Sequence, residues 1–273
     1  MRLLPLALLA ACAHSPRPTD HLFPAPVTVV GHRGGASLAP ENTMAAFEQA
    51  LALGVAIELD VRRCASGELV ISHDDHLLRT AGVDGFIEQM TLDELRALDV
   101  GAWFGPEFAG ERIPTLDEVF DRVDGQVVID VEVKSQKGTD NAALARDVAA
   151  TIAQHGLTDR VIVTSFSPFL LAELRAANPD IARGQLTGTF ATSDLRGYEK
   201  VLLRKLAFNR KADADVLAIE DALATGRYVR RMQRKGYRVL VWTVDDPGDM
   251  SELIRRGVDG LITDDPDRAL ELL

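Results

Sequence analysis

Positive charge, aromatic side chains and cysteine are all scarce in this chain. Lys and Arg number 30 against 41 Asp and Glu, which leaves a net charge of −11. That balance lacks the basic stripe needed to displace counterions from a nucleic acid, so no nucleic-acid partner is expected. An acidic protein acting on an anion must gather positive charge locally, through a metal ion or a few Arg and Lys. Aromatic residues make up only 5% of the sequence, so any large core is aliphatic. Two cysteines, Cys12 and Cys64, do not make a disulfide framework. Cys12 lies in the leader, and Cys64 reads as a small buried or half-buried filler. No segment stays apolar for the ~20 residues that span a bilayer. No G-x-G-x-x-G follows a strand pattern, which argues against a dinucleotide-binding unit.

What is present is 273 residues, 47% of them hydrophobic. That length suits one large α/β barrel or two small domains. The first residues read as an address. Arg2 precedes the apolar run Leu3 to Ala11, interrupted at Pro5 and ending in Leu9-Ala10-Ala11-Cys12. The run is a short h-region, and its end is similar to a bacterial lipobox. Residues 1–11 are therefore expected to be a lipoprotein signal peptide, with Cys12 lipidated. Residues 12–26, with four prolines, form a tether, and residues 27–273 form the folded domain. The expected location is outside the cytoplasm, with the membrane as a partner through the lipid. Ala13 after Cys12 resembles the signal for the periplasmic side of a Gram-negative outer membrane. An ordinary secretory signal cut near residues 13–15 is the alternative.

From Val27 onward, short Val/Ile/Leu-rich runs alternate with amphipathic stretches. Strands are expected near 27–31, 56–61, 126–133, 160–165, 181–186, 215–219, 238–243 and 259–263. Most are not strictly alternating, as befits strands covered on both faces. Helices are expected over Thr43–Leu53 with Asn42 as N-cap, Ala142–His155, Phe169–Ala177, Tyr228–Lys235 and Asp249–Arg256. The repeated sequence of helix, Gly and strand is the βα rhythm of a parallel sheet. Eight such units predict a TIM (β/α)₈ barrel, with a doubly wound open sheet as runner-up. Residues 64–114 break the rhythm after strand 2 and predict a small insertion with an extra strand over Glu68–Ser72. Residues 188–214 form a second long connection.

Chemistry-bearing residues collect at strand ends. The first strand runs into His32-Arg33-Gly34-Gly35. Glu58 and Asp60 are two apart and project to one face of the second strand. Two like charges there are costly unless a cation lies between them, and a hard divalent ion with oxygen ligands is the natural one. The extra strand ends in Ser72-His73-Asp74. In the third barrel strand Asp130, Glu132 and Lys134 share a parity, so Glu132 is a candidate third ligand and Lys134 a candidate anion contact. Taken singly, each residue has an ordinary structural explanation. Their coincidence at one end of successive strands is harder to explain that way.

The ordered blocks His32-Arg33-Gly34-Gly35, Pro40-Glu41-Asn42-Thr43, Glu58-Leu59-Asp60, Val70-Ile71-Ser72-His73-Asp74, Leu78-Arg79-Thr80, Glu132-Val133-Lys134, Val241-Trp242-Thr243-Val244 and Gly257-Val258-Asp259-Gly260 resemble the glycerophosphodiester phosphodiesterase family. The likeness spans nearly all of residues 28–268. It implies a TIM barrel that hydrolyses a small-molecule glycerophosphodiester to sn-glycerol 3-phosphate and an alcohol. It implies one divalent cation, Ca²⁺ or Mg²⁺, on Glu58, Asp60 and Glu132, with His32 and His73 as the acid/base pair. Arg33 matches a phosphate-contacting position, Lys134 one near the substrate, and Trp242 an aromatic of the pocket lining. Asp245 replaces the family's usual Asn and puts a carboxylate near the rim. Glu41 is either a helix-entry residue or a contact of the site. Trp103 and Phe104, in the insertion, are either packing residues or pocket wall. Two rival functions stand beside this one: phospholipase D-like or lyase-type action on lysophospholipids, and a non-catalytic surface-binding lipoprotein. No obligate protein partner is expected.

Overall fold

The computed structural model describes residues 16–135, 138, 140–190, 197, 200, 201 and 205–273. The leader and Cys12 lie outside these residues, as does part of the connection 188–214. Nine strands form one sheet: β1 (Thr28–Gly31), β2 (Ala56–Arg63), β3 (Leu69–Ile71), β4 (Ile129–Val133), β5 (Val161–Ser165), β6 (Ala182–Thr187), β7 (Val216–Glu220), β8 (Arg238–Trp242) and β9 (Gly260–Thr263). All pairings are parallel except that of β3, which runs antiparallel along the far half of β2. The order β1-β9-β8-β7-β6-β5-β4-β2 closes on itself because β1 also pairs with β2, so the eight parallel strands form the expected barrel. An open sheet is thereby excluded.

Ten helices are described. They are α1 (Met44–Leu53), α2 (Leu78–Ala81), α3 (Leu92–Arg96), α4 (Leu116–Val123), α5 (Asn141–Gln154), α6 (Pro168–Ala177), α7 (Asn209–Ala212), α8 (Gly226–Gln233), α9 (Pro247–Arg256) and α10 (Pro266–Glu271). Their starts are set by side-chain caps such as Thr43, Asp140, Ser167, Thr225 and Asp246. Thr43, not Asn42, caps α1: its hydroxyl accepts from the Ala46 amide. Asn42 sits one residue earlier with φ 57° and uses its side chain elsewhere.

Strand parity divides the core in two. Ile57, Leu59, Val61, Ile129, Val131, Val133, Val239 and Val241 point out against the helices. Val30, Ala56, Val128, Ile162, Val216, Leu240 and Ile262 point into the lumen. Leu22 and Phe23, just before the barrel, join the lumen cluster and plug its amino-terminal end. Arg17 holds this segment down by donating to Asp215 and to the carbonyls of Pro179 and Ile181. The stretch read as a tether is therefore packed against the barrel from Arg17 to Phe23, because two large apolar side chains are buried there. The insertion after β2 has a separate small core of Cys64, Val70, Leu77, Ile87, Leu95, Val100 and Ile113. Cys64 is buried in it, as expected of a filler.

Candidate active site

At the carboxyl end of the barrel the lumen changes character. Continuing the inward parity, β2 contributes Glu58, Asp60 and Arg62 beyond Ala56, and β4 contributes Asp130, Glu132 and Lys134 beyond Val128. β2 and β4 are neighbours in register, with Glu58 beside Asp130 and Asp60 beside Glu132. Alternation and pairing thus stack six ionisable groups on one wall. Four of them, Glu58, Asp130, Glu132 and Lys134, border a cavity of about 500 Å³, counted to its mouth, that is also walled by His32, Arg33, His73, Phe166 and Trp242.

Glu58, Asp60 and Glu132 each offer an oxygen within 4.8 Å of the others. Asp60 is 0% exposed and lies behind the cavity wall. Lys134 bridges two of the three, its Nζ 2.7 Å from both Asp60 and Glu132. Asn42 clamps Asp60 from the other side, donating through Nδ2 at 2.8 Å and accepting the Asp60 amide at 3.2 Å. Burial would raise the Asp60 carboxyl, but Lys134, His73 and Arg33 outweigh it and hold the group well below the usual range. Glu58 goes the other way. Burial, then the charges of Asp60 and Glu132, push it well up. Glu132 is also raised, by burial first, against the opposing pull of Lys134. Burial pushes Asp130 up to about 7, and Thr164 donates to its Oδ1 at 2.7 Å. The wall therefore holds more carboxylate than its cations neutralise. An all-oxygen donor set short of positive charge fits a hard divalent cation.

The two imidazoles are oriented by carboxylates. His32 Nδ1 is 2.6 Å from Asp264 Oδ1, at the end of β9. Its Nε2 faces the cluster, 4.0 Å from Glu58. His73 Nδ1 is 2.8 Å from Asp74 Oδ1. Burial lowers the His73 pKa, so its imidazolium gives up a proton more readily. Arg62 anchors the His73 backbone by donating to the carbonyls of Ser72 and His73. Burial depresses the Arg33 guanidinium, but Asp60, Glu41 and Glu58 more than compensate and raise it. Arg33 Nη1 donates to Glu41 at 2.8 Å, and its amide donates to Glu58 Oε2 at 2.8 Å. That amide is aimed by a left-handed backbone, φ 52°. Gly34 follows at φ 89°, where a Cβ would lie 2.8 Å from the Ala46 Cβ. The tight turn after β1 thus requires its glycine.

Of the residues singled out in the sequence, His32, Arg33, Glu58, His73, Glu132, Lys134 and Trp242 all border this cavity. Trp242 packs edge-on against Phe166 at 5.6 Å. Trp103 and Phe104 do not border it. They pack with Phe108 in the insertion, and the Trp103 indole donates to the Val100 carbonyl. Asp245 accepts from the Thr263 hydroxyl at 3.1 Å and the Asp264 amide at 2.9 Å, which steadies the loop that carries Asp264. Glu41 touches Arg33 and Arg79. Sequence reasoning assigned no role to Asp264 or Asp74, and gave Asn42 only that of a helix cap. For Asp74 the adjacency to His73 was a usable signal. For the other two only tertiary proximity identifies the partner.

The glycerophosphoryl diester phosphodiesterase family model matches residues 32–268. A glycerophosphodiester phosphodiesterase of Caldanaerobacter subterraneus subsp. tengcongensis is 34% identical over 247 residues, covering 90% of this chain and 97% of that protein. A glycerophosphodiester phosphodiesterase of Bacillus subtilis is 28% identical, covering 90% of this chain and 86% of that one. Among solved structures, an Oleispira antarctica phosphodiesterase in complex with the product sn-glycerol-3-phosphate superposes with a TM-score of 0.79 at 30% identity, covering 90% of this chain and 96% of that one. With these matches running through the strand ends that build the cavity, the chain belongs to the glycerophosphoryl diester phosphodiesterase family and is an enzyme, a phosphoric diester hydrolase.

Proposed function

We propose that this enzyme hydrolyses glycerophosphodiesters to sn-glycerol 3-phosphate and an alcohol, with Glu58, Asp60 and Glu132 holding one divalent cation, Ca²⁺ or Mg²⁺. The observation that carries the reading is convergence. Three clustered carboxylates, Glu58 and Asp60 buried and Glu132 partly so, and two carboxylate-oriented imidazoles gather at one cavity, together with Arg33 and Lys134. When bound, the cation supplies positive charge that polarises the phosphoryl oxygens and stabilises the transition state. Arg33 binds a non-bridging oxygen, and Lys134 balances the carboxylates beside it. With Nδ1–H on Asp264, His32 presents Nε2 as the base that takes a proton from the attacking hydroxyl. With Nδ1–H on Asp74, His73 presents a protonated Nε2 that hands its proton to the leaving alcohol. The attacking hydroxyl is either the substrate's own glycerol 2-hydroxyl, giving a cyclic phosphate opened later by water, or water itself. Trp242 and Phe166 form the apolar wall and keep bulk water from the reacting centre.

The leader supports a further part of the reading: export and lipidation at Cys12. Cys12 lies five residues before Arg17, a reach of roughly 17 Å at full extension. Arg17, Leu22 and Phe23 are on the amino-terminal face of the barrel, opposite the cavity mouth. A lipid on Cys12 would hold that face toward the membrane and turn the mouth away from it. This orientation favours diffusible glycerophosphodiesters over lysophospholipids embedded in the same bilayer. The test compares glycerophosphocholine with vesicle-borne lysophosphatidylcholine as substrates, each with chelator and then with Ca²⁺ or Mg²⁺ restored. Turnover of glycerophosphocholine that stops with EDTA and returns with either ion is expected. Full activity in EDTA refutes the metal, and preference for the lysolipid refutes the substrate class.

A further inference from the structure

The block Leu78-Arg79-Thr80 has no part in the chemistry above, yet Arg79 sits at a junction of it. We propose that Arg79 is a positioning residue for His73, acting through Asp74. Its Nε donates to Asp74 Oδ2 at 2.7 Å. The other two nitrogens form a fork on Glu41, at 2.5 and 2.7 Å. Asp74 uses its second oxygen for His73 Nδ1, and Glu41 Oε1 also accepts from Arg33 Nη1. Five side chains thus form one chain of charge-assisted hydrogen bonds, His73–Asp74–Arg79–Glu41–Arg33, that begins and ends on the cavity wall. Arg79 itself does not border the cavity.

An exposed ion pair contributes little to stability, and the Arg79 side chain is 44% exposed. Its fork geometry does something else. A bidentate guanidinium fixes the plane of its partner, and Glu41 is only 9% exposed and held in turn by Arg33. Arg79 therefore transmits a rigid anchor to Asp74, which is itself half-buried at the insertion's edge. Without that anchor Asp74 is free to turn to water. The His73 ring then loses the carboxylate that fixes its tautomer and its aim. The His73 backbone stays put because Arg62 holds it independently. The defect is confined to the ring and so to proton delivery.

This inference rests on His73 being the acid of the proposed mechanism. In that step the attacking oxygen forms a bond to phosphorus, and the bond to the leaving oxygen breaks. The leaving oxygen keeps the electron pair and takes the Nε2 proton of His73. An alkoxide such as that of choline needs this proton, whereas 4-nitrophenolate departs without it. The experiment measures kcat/KM of the wild-type enzyme, R79A, R79K and H73A on glycerophosphocholine and on the 4-nitrophenyl ester of sn-glycerol 3-phosphate. R79A is expected to lose ~10- to 100-fold on the choline diester and less than about 3-fold on the nitrophenyl diester. R79K, whose ammonium reaches one carboxylate at a time, is expected to lie between wild type and R79A on the choline diester. Equal losses on both substrates, or no loss on either, overturn the inference. H73A separates the two layers of reasoning. If it discriminates between the leaving groups while the Arg79 variants do not, Arg79 has no positioning role. If H73A itself does not discriminate, His73 is not the acid, and the inference falls with it. Should R79A fail to fold by thermal melt, the ratio of the two losses in R79K decides alone.

Discussion

Lys134→Met tests the electrostatic reading of the carboxylate wall most directly. The ammonium lies 2.7 Å from both Asp60 and Glu132 and is only 13% exposed. Met fills similar volume along the stem but leaves Glu132 without its contacting cation and Asp60 with Arg33 alone, 3.6 Å away. Removing one partner of a buried charge pair costs ~3–5 kcal/mol, because the remaining charge stays desolvated. At ~2–4 °C per kcal/mol for a domain of this size, the variant should melt ~6–20 °C below wild type in EDTA. Glu58 and Glu132, already raised by burial, would rise further and so relieve part of that penalty. The lost positive charge also changes the response to metal. With no ammonium competing for Asp60 and Glu132, a divalent cation meets a more negative site. At a hundredfold excess over its Kd, a bound ion stabilises by about 2.7 kcal/mol. Calorimetry with and without millimolar Ca²⁺ or Mg²⁺ should therefore show a larger upward shift of Tm in the variant than in wild type. A variant that melts with wild type in EDTA, or that ignores both ions, would mean the carboxylates are not an ion site awaiting positive charge.

Two further expectations concern stability alone. Leu22→Ala removes a fully buried side chain from the barrel plug and should cost ~2–5 kcal/mol in urea denaturation without altering kcat, whereas a residue in a solvated tether would show no loss. Glu41 is pushed up by burial, but Arg79 and Arg33 hold its carboxyl below the ordinary value. A lowered folded pKa means stability that is fully present above the unfolded value of about 4.3 and is lost as pH falls through the folded value. Glu41→Gln should then be less stable than wild type at neutral pH, and the gap should close under acid. Urea midpoints that keep a constant gap down to about pH 3 would exclude this linkage.

The parts of the site that were legible in the chain are those in which neighbours in sequence are also neighbours in space. Glu58 and Asp60, or Asp130, Glu132 and Lys134, lie on one face because a strand alternates every two residues, so spacing alone aligned them. His73 and Asp74 are adjacent in sequence. The strand expected at 181–186 is Ala182–Thr187 in the structure, although its inward positions include Gly184 and its outward ones Arg183 and Gln185. Closure of the barrel enclosed both faces, and Arg183 is satisfied there by Asp213 and by the carbonyls of Pro179 and Ile181. Asn42 was misread for a physical reason. Asn and Thr are both good caps, and one residue of register decides which is used. A left-handed backbone turned Asn42 to Asp60 instead, 18 residues away.

Local order in the chain is enough for the alternation of strand and helix, the inward parity of the acidic pairs, the family blocks and the place of the insertion. These follow from local periodicity and from short ordered motifs. Packing in three dimensions sets which carboxylate orients which imidazole, where the residues before the barrel lie, and that Arg79 joins Asp74 to Glu41. His32 and Asp264 are 232 positions apart and meet because β1 and β9 pair to close the barrel. Arg17 and Asp215 are 198 apart and meet at its floor. Such contacts have no period in the chain. The first exists because closing a sheet brings its first and last strands within hydrogen-bonding distance, the second because closure gathers the strands' amino ends around one floor, and local sequence carries no trace of either distance.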